Sequence, residues 1–259
     1  MRKQLSLLGE DKPAEAIEFL RMQEPAEGYA VKFSGGKDSI VLYSLVLLSG
    51  VKHRAFYNVT TIDPPELARF IKLNYPEVIW LYPKKNFFQL SMQKGIPTVA
   101  KRWCCEKLKH KGNKRAYGTK HIVTGIRSDE SRMRAGRARI TQMEGQFLYA
   151  PIFNFTEEDV WSYIRSKGLA YPKLYDEGFA RLGCVICPFI CRPGILDKHR
   201  KRWPATYRRF EKVFAEYYKL KKSYYDMRGI KNAEELLRLW YGGKPLPAMN
   251  RNQIGLWRR

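Results

Sequence analysis

The chain has 259 residues, of which 44% are hydrophobic, enough for one large domain or one domain with an appendage around a real core. No run of about eighteen apolar residues occurs, which excludes a helical membrane span. The N-terminal MRKQLSLLGEDKPAEAIEFL lacks a long apolar core and soon turns acidic, so no signal peptide is read and the expected compartment is the cytoplasm. The net charge is +23, and from Arg192 to Arg259 there are 18 Lys and Arg against 6 Asp and Glu. Such an excess favours polyanionic partners, although a solvated basic face is the plainer account of it.

In chain order, residues 11–24 read as a helix. YAVKF (29–33) reads as a buried strand, and Ser39 to Leu48 as the helix after it. HRAFYNV (53–59) is a second strand, closed by Pro64-Pro65, and PPELARFIKLNY a helix with proline near its start, where proline is tolerated. VIWLY (78–82) and HIVTGI (121–126) give a third and a fourth strand. TEEDVWSYIRSKG (156–168) has a threonine N-cap, acids in its first turn and a glycine stop. Strands alternating with helices predict a parallel sheet of the α/β class. Beyond Arg192 the chain becomes basic, aromatic and helical. The expected organisation is a helical lead-in over 1–28, a nucleotide-binding and cysteine-bearing domain over 29–191, and a basic helical appendage over 192–259.

Between the first strand and its helix stands Ser34-Gly35-Gly36-Lys37-Asp38-Ser39. Ligands of open α/β sheets bind at the carboxyl ends of strands, where a loop opening a helix offers unpaired N–H groups and the positive end of the helix dipole. Gly35 and Gly36 let the backbone approach an anion. Ser34 and Ser39 can donate hydroxyls, Lys37 supplies a charge, and Asp38 could hold Mg²⁺ or orient the lysine. These parts suit a pyrophosphate. The spacing is not the Walker pattern, which needs four residues between Gly and Gly-Lys.

The five cysteines are Cys104, Cys105, Cys184, Cys187 and Cys191. An odd, clustered set argues for metal or reactive thiols over a disulfide framework. The pairs Cys104-Cys105 and Cys184-x-x-Cys187 could meet around a [4Fe–4S] cluster or a tetrahedral zinc, and adjacent cysteines suit the separate corners of a cubane better. Basic neighbours such as Arg192 could favour the Cys191 thiolate and leave it available to carry sulfur or to ligate a cluster in place of another cysteine, although a packed free thiol is an equal reading.

The SGGKDS loop resembles the PP-loop of the ATP pyrophosphatases, within the adenine nucleotide alpha hydrolase superfamily. Cys-Cys, then about eighty residues, then C-x-x-C, resembles the cluster pattern of assimilatory adenylyl sulfate reductases. TTIDPPEL (60–67), TGIRSDESRMRAG (124–136), APIFNFTEEDVWSYI (150–164) and YPKLYDEGFARLGCVICP (171–188) resemble, in order, motifs of the wider phosphoadenosine phosphosulfate (PAPS) reductase family. The likeness implies a Rossmann-like, adenine nucleotide alpha hydrolase-like core and attack at the α-phosphate of an adenine nucleotide. It implies that Arg127 and Arg134, near Gly125, bind phosphate or sulfate, and that Asp63 lies near the ribose or adenine, with a helix N-cap as its plainer role. Arginine forks suit such oxyanions chemically. Trp161 reads as a core residue.

Sulfonucleotide reductases carry a C-terminal Glu-Cys-Gly-(Leu or Ile)-His segment and usually a degenerate PP-loop. This sequence ends NRNQIGLWRR and keeps the loop whole. The expectation is therefore an enzyme that cleaves ATP to AMP and pyrophosphate to activate a substrate for sulfur transfer, with tRNA or DNA as acceptor and a sulfur-donor protein as a possible partner. The first alternative is a PAPS or adenylyl sulfate reductase releasing sulfite with Cys191 as nucleophile. The second is a non-catalytic nucleic-acid-binding regulator. The tail aromatics Tyr207, Phe210, Phe214, Tyr217, Tyr218, Tyr224 and Tyr225 could stack on bases, although a core face is their commoner use.

Overall fold

The computed structural model describes residues 11–110, 114–192 and 194–248; the NRNQIGLWRR tail lies outside them. Asp11 caps the first helix, α1 (Lys12–Met22), accepting the N–H of Ala14. The central strand β1 (Tyr29–Lys32) follows, then α2 (Lys37–Ser49), which Gly50 ends in the left-handed region at φ 73°. Apart from its first turn α2 is apolar on nearly every face and largely buried: Ile40, Val41, Leu42, Leu45 and Val46 are at most 1% exposed, and only Leu47 and Leu48 near its end are open to solvent. The chain continues through β2 (His53–Asn58), α3 (Pro65–Asn74), β3 (Ile79–Leu81) and α4 (Phe87–Lys94). A π-helical turn over Cys105–His110 precedes β4 (His121–Val123). Then come the short α5 (Arg132–Ala135), β5 (Ile140–Met143), β6 (Gln146–Tyr149) and α6 (Glu157–Ser166). The remaining described helices are α7 (Ile195–Arg202), α8 (Pro204–Leu220), α9 (Lys222–Asp226) and α10 (Ala233–Tyr241).

The six strands form one sheet in the order β3-β2-β1-β4-β6-β5. All pairings are parallel except β5–β6. Tyr29 stands opposite His53, and Ala30 opposite Ile122. The order reverses at β1, whose two neighbours are β2 and β4. The crevice past their carboxyl ends is the topological switch point where ligands of such sheets bind.

The four expected strands and the helices over 11–24, 39–48, 64–75 and 156–168 are present, most of them with ends moved by one to three residues. The β5–β6 hairpin was not legible. Its turn is Glu144-Gly145, both at positive φ (51° and 74°), without the Asn-Gly or Asp-Gly signal that marks two-residue hairpins. Nor was α4, which the Asn86–Gln89 capping box opens and Gly95, at φ 88°, ends.

The described residues fall into two compact units. The first draws on 11–59, 65–82 and 114–183 and contains the whole sheet; the second draws on 60–64, 83–110, 184–192 and 194–248. This differs from the boundaries expected at 28 and 191. The helices after Arg192 are no appendage, because α8 buries Phe210 and Phe214 with Phe87 of α4 and Trp240 of α10. The indoles of Trp103 and Trp240 donate to the carbonyls of Gly95 and Pro97, at 2.8 and 2.6 Å. Tyr207, Phe210, Phe214, Tyr218 and Tyr225 are thus core, not a stacking surface; Tyr217 is half-buried, and Tyr224 alone of the seven is exposed. Among the described residues no helix is long and apolar enough to cross a membrane.

Candidate functional site

The Ser34–Ser39 loop leaves β1 at the switch point and opens α2. Gly35 is at φ 71°, and a Cβ there would lie 2.7–2.8 Å from Ile71 and Leu67, so only glycine fits. The Ser39 hydroxyl donates to the Gly36 carbonyl at 2.8 Å and accepts from the N–H and hydroxyl of Ser34, at 3.2 and 3.1 Å. These bonds fix the curl of the loop and leave the first turn of α2 facing the crevice with the positive end of its dipole. Lys37 is only 3% exposed. Its Nζ donates to the carbonyl of Ala180 at 3.2 Å and lies 3.4 Å from Glu157 and 3.9 Å from Asp38. Its backbone N–H donates to the Tyr175 hydroxyl at 2.9 Å.

Arg127 is also 3% exposed. It donates from Nε to Asp38 at 2.6 Å, and from Nη1 to Asp129 and to the carbonyl of Phe155, both at 3.2 Å. Burial opposes its charge, but Asp38, Glu130 and Asp129 outweigh burial and raise its pKa. The guanidinium expected on phosphate is therefore engaged in holding Asp38. Asp38 in turn stands between a guanidinium at 2.6 Å and an ammonium at 3.9 Å, which suits it to orienting the cations. Gly125, at the end of β4, lets that strand pass the loop: a Cβ would meet the backbone of Asp38 at 3.2 Å. Arg134 pairs with Glu130, which Arg181 also approaches at 3.4 Å.

The second unit brings the cysteines together with Asp63. The Asp63 carboxylate accepts the N–H of Thr60 at 2.9 Å and faces Lys109, beside the thiols. Cys104 and Cys105 share a hydrogen bond that raises Cys104 and holds Cys105 down at about 6, with Lys109 and Arg102 helping against burial. Cys184 is raised by burial, opposed by Lys109 and by its bond to the Thr60 hydroxyl at 3.6 Å. Lys109 is raised chiefly by Cys184, against burial, and further by Asp63 and Cys105. Cys191 departs from expectation. Burial, then the neighbouring Cys187, pushes it up to about 12, so it is a neutral thiol despite Arg192.

Among the described residues no three His, Cys, Asp or Glu side chains close on one point as a single metal ion requires. The four expected ligands are half-buried thiols outside any disulfide, and Lys109 lies among them. Sequence reasoning missed Tyr175, Glu157, Ala180 and Lys109. The first three lie within the segments 150–164 and 171–188, whose likeness to family motifs marked them without giving their partners, and Lys109 is one cation in a basic stretch.

A mostly parallel sheet with a glycine loop at its switch point defines an adenine nucleotide alpha hydrolase-like fold. The chain belongs to the phosphoadenosine phosphosulfate reductase domain family, which residues 28–189 match. A Pseudomonas aeruginosa adenosine 5'-phosphosulfate reductase is 32% identical over 67% of this chain and 70% of its own length. Two uncharacterised Methanocaldococcus jannaschii proteins are 31% and 29% identical over 72% and 85% of the chain. The chain spans 41% and 53% of those two, about half their length. Among solved structures, a Candida auris phosphoadenylyl-sulfate reductase in complex with phosphate has a TM-score of 0.52 at 18% identity, over 66% of this chain and 87% of that one. A Candida glabrata FMN adenylyltransferase has the same TM-score and identity, over 67% and 62%. These two share the fold. The family is one of enzymes, and membership supports binding of an adenine nucleotide.

Proposed function

We propose that the chain binds ATP at the Ser34–Ser39 loop, with Lys37, Asp38, Gly125 and Arg127 as its frame, and cleaves it to AMP and pyrophosphate to activate an acceptor for sulfur transfer. The observation that carries this reading is the complete loop, with a buried lysine at the first turn of α2, suited to stabilising a departing pyrophosphate. An acceptor oxygen would bond to the α-phosphorus as the bond to pyrophosphate breaks, its electron pair leaving on pyrophosphate. A sulfide nucleophile would then take the acceptor carbon, and AMP would leave with the oxygen while the sulfide proton passes to solvent. Lys37 is placed to hold charge on the leaving group, while Arg127 keeps Asp38 oriented. Cys104, Cys105, Cys184 and Cys187 would hold a [4Fe–4S] cluster, which when bound supplies a sulfur-handling site or a clamp for the second unit. The net charge of +23 supports tRNA or DNA as acceptor.

Lys37→Ala should abolish pyrophosphate release from ATP while leaving the fold intact by circular dichroism; wild-type rates would remove the ATP-cleavage role. Cys105→Ser should lower the iron content and brown colour of protein purified without oxygen, and an unchanged spectrum would take Cys105 out of the ligand set. The second reading, a sulfonucleotide reductase, is favoured by the likeness to the Pseudomonas aeruginosa enzyme. Sulfite release from PAPS or adenylyl sulfate, without pyrophosphate release from ATP, would establish it in place of the first.

A further inference from the structure

The geometry points to a second ligand pocket beside the phosphate loop, an aromatic and acid-rimmed cavity that takes a nucleobase carrying an exocyclic amine. The cavity has a volume of about 470 Å³, within the usual size of small-molecule sites, and lies wholly in the first unit. Its walls are Trp161, Tyr171, Tyr175 and Phe179, with Glu157 and Asp176 at the rim. The Trp161 ring meets Tyr175 at 5.0 Å and 88°, and Tyr171 at 5.3 Å and 82°. Rings set at right angles wall a corner and do not fill it, and a planar guest gains stacking area there.

Charge selects among planar guests. In a chain of net charge +23, the residues lining this cavity include two carboxylates and neither Lys nor Arg. Glu157 lies 3.4 Å from the Lys37 ammonium, so Asp176 is the carboxylate left to repel an anionic guest. Carboxylates only accept, so the guest must donate. Asp176 accepts the Tyr171 hydroxyl at 3.1 Å, and a carboxylate has capacity for further donors. An amine on an aromatic ring is the donor that Asp and Glu read on bases.

The cavity and the loop share residues. Tyr175 is a wall of the cavity, and its hydroxyl accepts the N–H of Lys37; Glu157 and Ala180 line the cavity and hold the Lys37 ammonium. A guest here would stand next to the lysine proposed to serve the departing pyrophosphate. This deepens the proposed function by naming the acceptor's chemical class, and rests on that reading for the guest's role as acceptor.

The test is calorimetric titration of the full chain with cytidine against uridine and guanosine against inosine, each pair differing by the amine, and with choline as a non-planar cation. Inorganic pyrophosphate is titrated separately to report on the loop. At least one amine-bearing nucleoside should bind tenfold or more tighter than its partner. Asp176→Ala, at an exposed position, should erase that preference, and Trp161→Ala should weaken nucleoside binding at least tenfold. Trp161→Phe, which keeps a ring and guards against a folding defect, should restore most of it, with pyrophosphate affinity within twofold in all three variants. Equal affinities within both pairs, tighter binding of choline, or binding indifferent to Trp161→Ala would overturn the inference. Amine-selective binding without pyrophosphate release from ATP would leave the pocket standing and remove the proposed reaction; ATP cleavage without nucleoside binding would do the reverse.

Discussion

Arg127 spends its fork on Asp38, Asp129 and the carbonyl of Phe155 while almost wholly buried. A planar, always-charged group can serve three acceptors in two directions, and an ammonium cannot. Arg127→Lys would leave Asp38 and the carbonyl short of donors. Removing one partner of a buried pair costs roughly 3–5 kcal/mol; with the Asp38 side chain 26% exposed, about 2–3 kcal/mol is expected here. Urea denaturation measures it, and a wild-type midpoint would mean that Asp38 keeps its place without the fork. A close approach acts at the same scale through Gly125, since any Cβ there pushes on the backbone of Asp38.

At the level of elements, α6 shows how one helix start can join two parts of a unit. Thr156 accepts the N–H of Asp159, and Asp159 accepts the N–H of Thr156, a reciprocal capping box. Asp159 also pairs with Lys12 at the start of α1. Burial raises the Asp159 pKa, but Lys12 and Thr156 together outweigh burial and leave it below the ordinary 3.8. A carboxylate lowered in the folded state adds stability that is complete above the ordinary value and is lost as pH falls through the folded one. Asp159→Asn should therefore lower stability at neutral pH and flatten its acid dependence below about pH 4. Parallel wild-type and variant curves of unfolding free energy against pH would count against this linkage.

For the molecule as a whole, sequence neighbours do not share a unit. Residues 60–64 and 83–110 leave the sheet-bearing unit and join the helices after Gly183. The reason is aromatic burial: Phe87 stacks on Trp103 at 5.7 Å and meets Phe210, which packs at 4.8 Å on Trp240. Phe210→Ala should destabilise this unit by about 3–5 kcal/mol, as truncation of a buried aromatic does. It should leave nucleic-acid affinity per folded molecule unchanged in filter binding at fixed salt. A loss of affinity with an intact melting transition would return Phe210 to a stacking role.

The phosphate loop and the parallel strands were legible in sequence because each is a local pattern: a glycine pair and a lysine between an apolar strand and an apolar helix, a threonine cap with acids behind it. The hairpin at Glu144-Gly145 was not, since its turn lacks the usual residue pair. The sequence by itself determined the family, the class of fold and the glycine loop with its lysine. Only the tertiary structure decided that Arg127 holds Asp38, that burial and Cys187 push the Cys191 thiol up, that Tyr175 caps the loop, and that five of the seven tail aromatics form a core. Arg127 and Tyr175 each depend on what stands opposite across the fold, at residues 89 and 138 positions away.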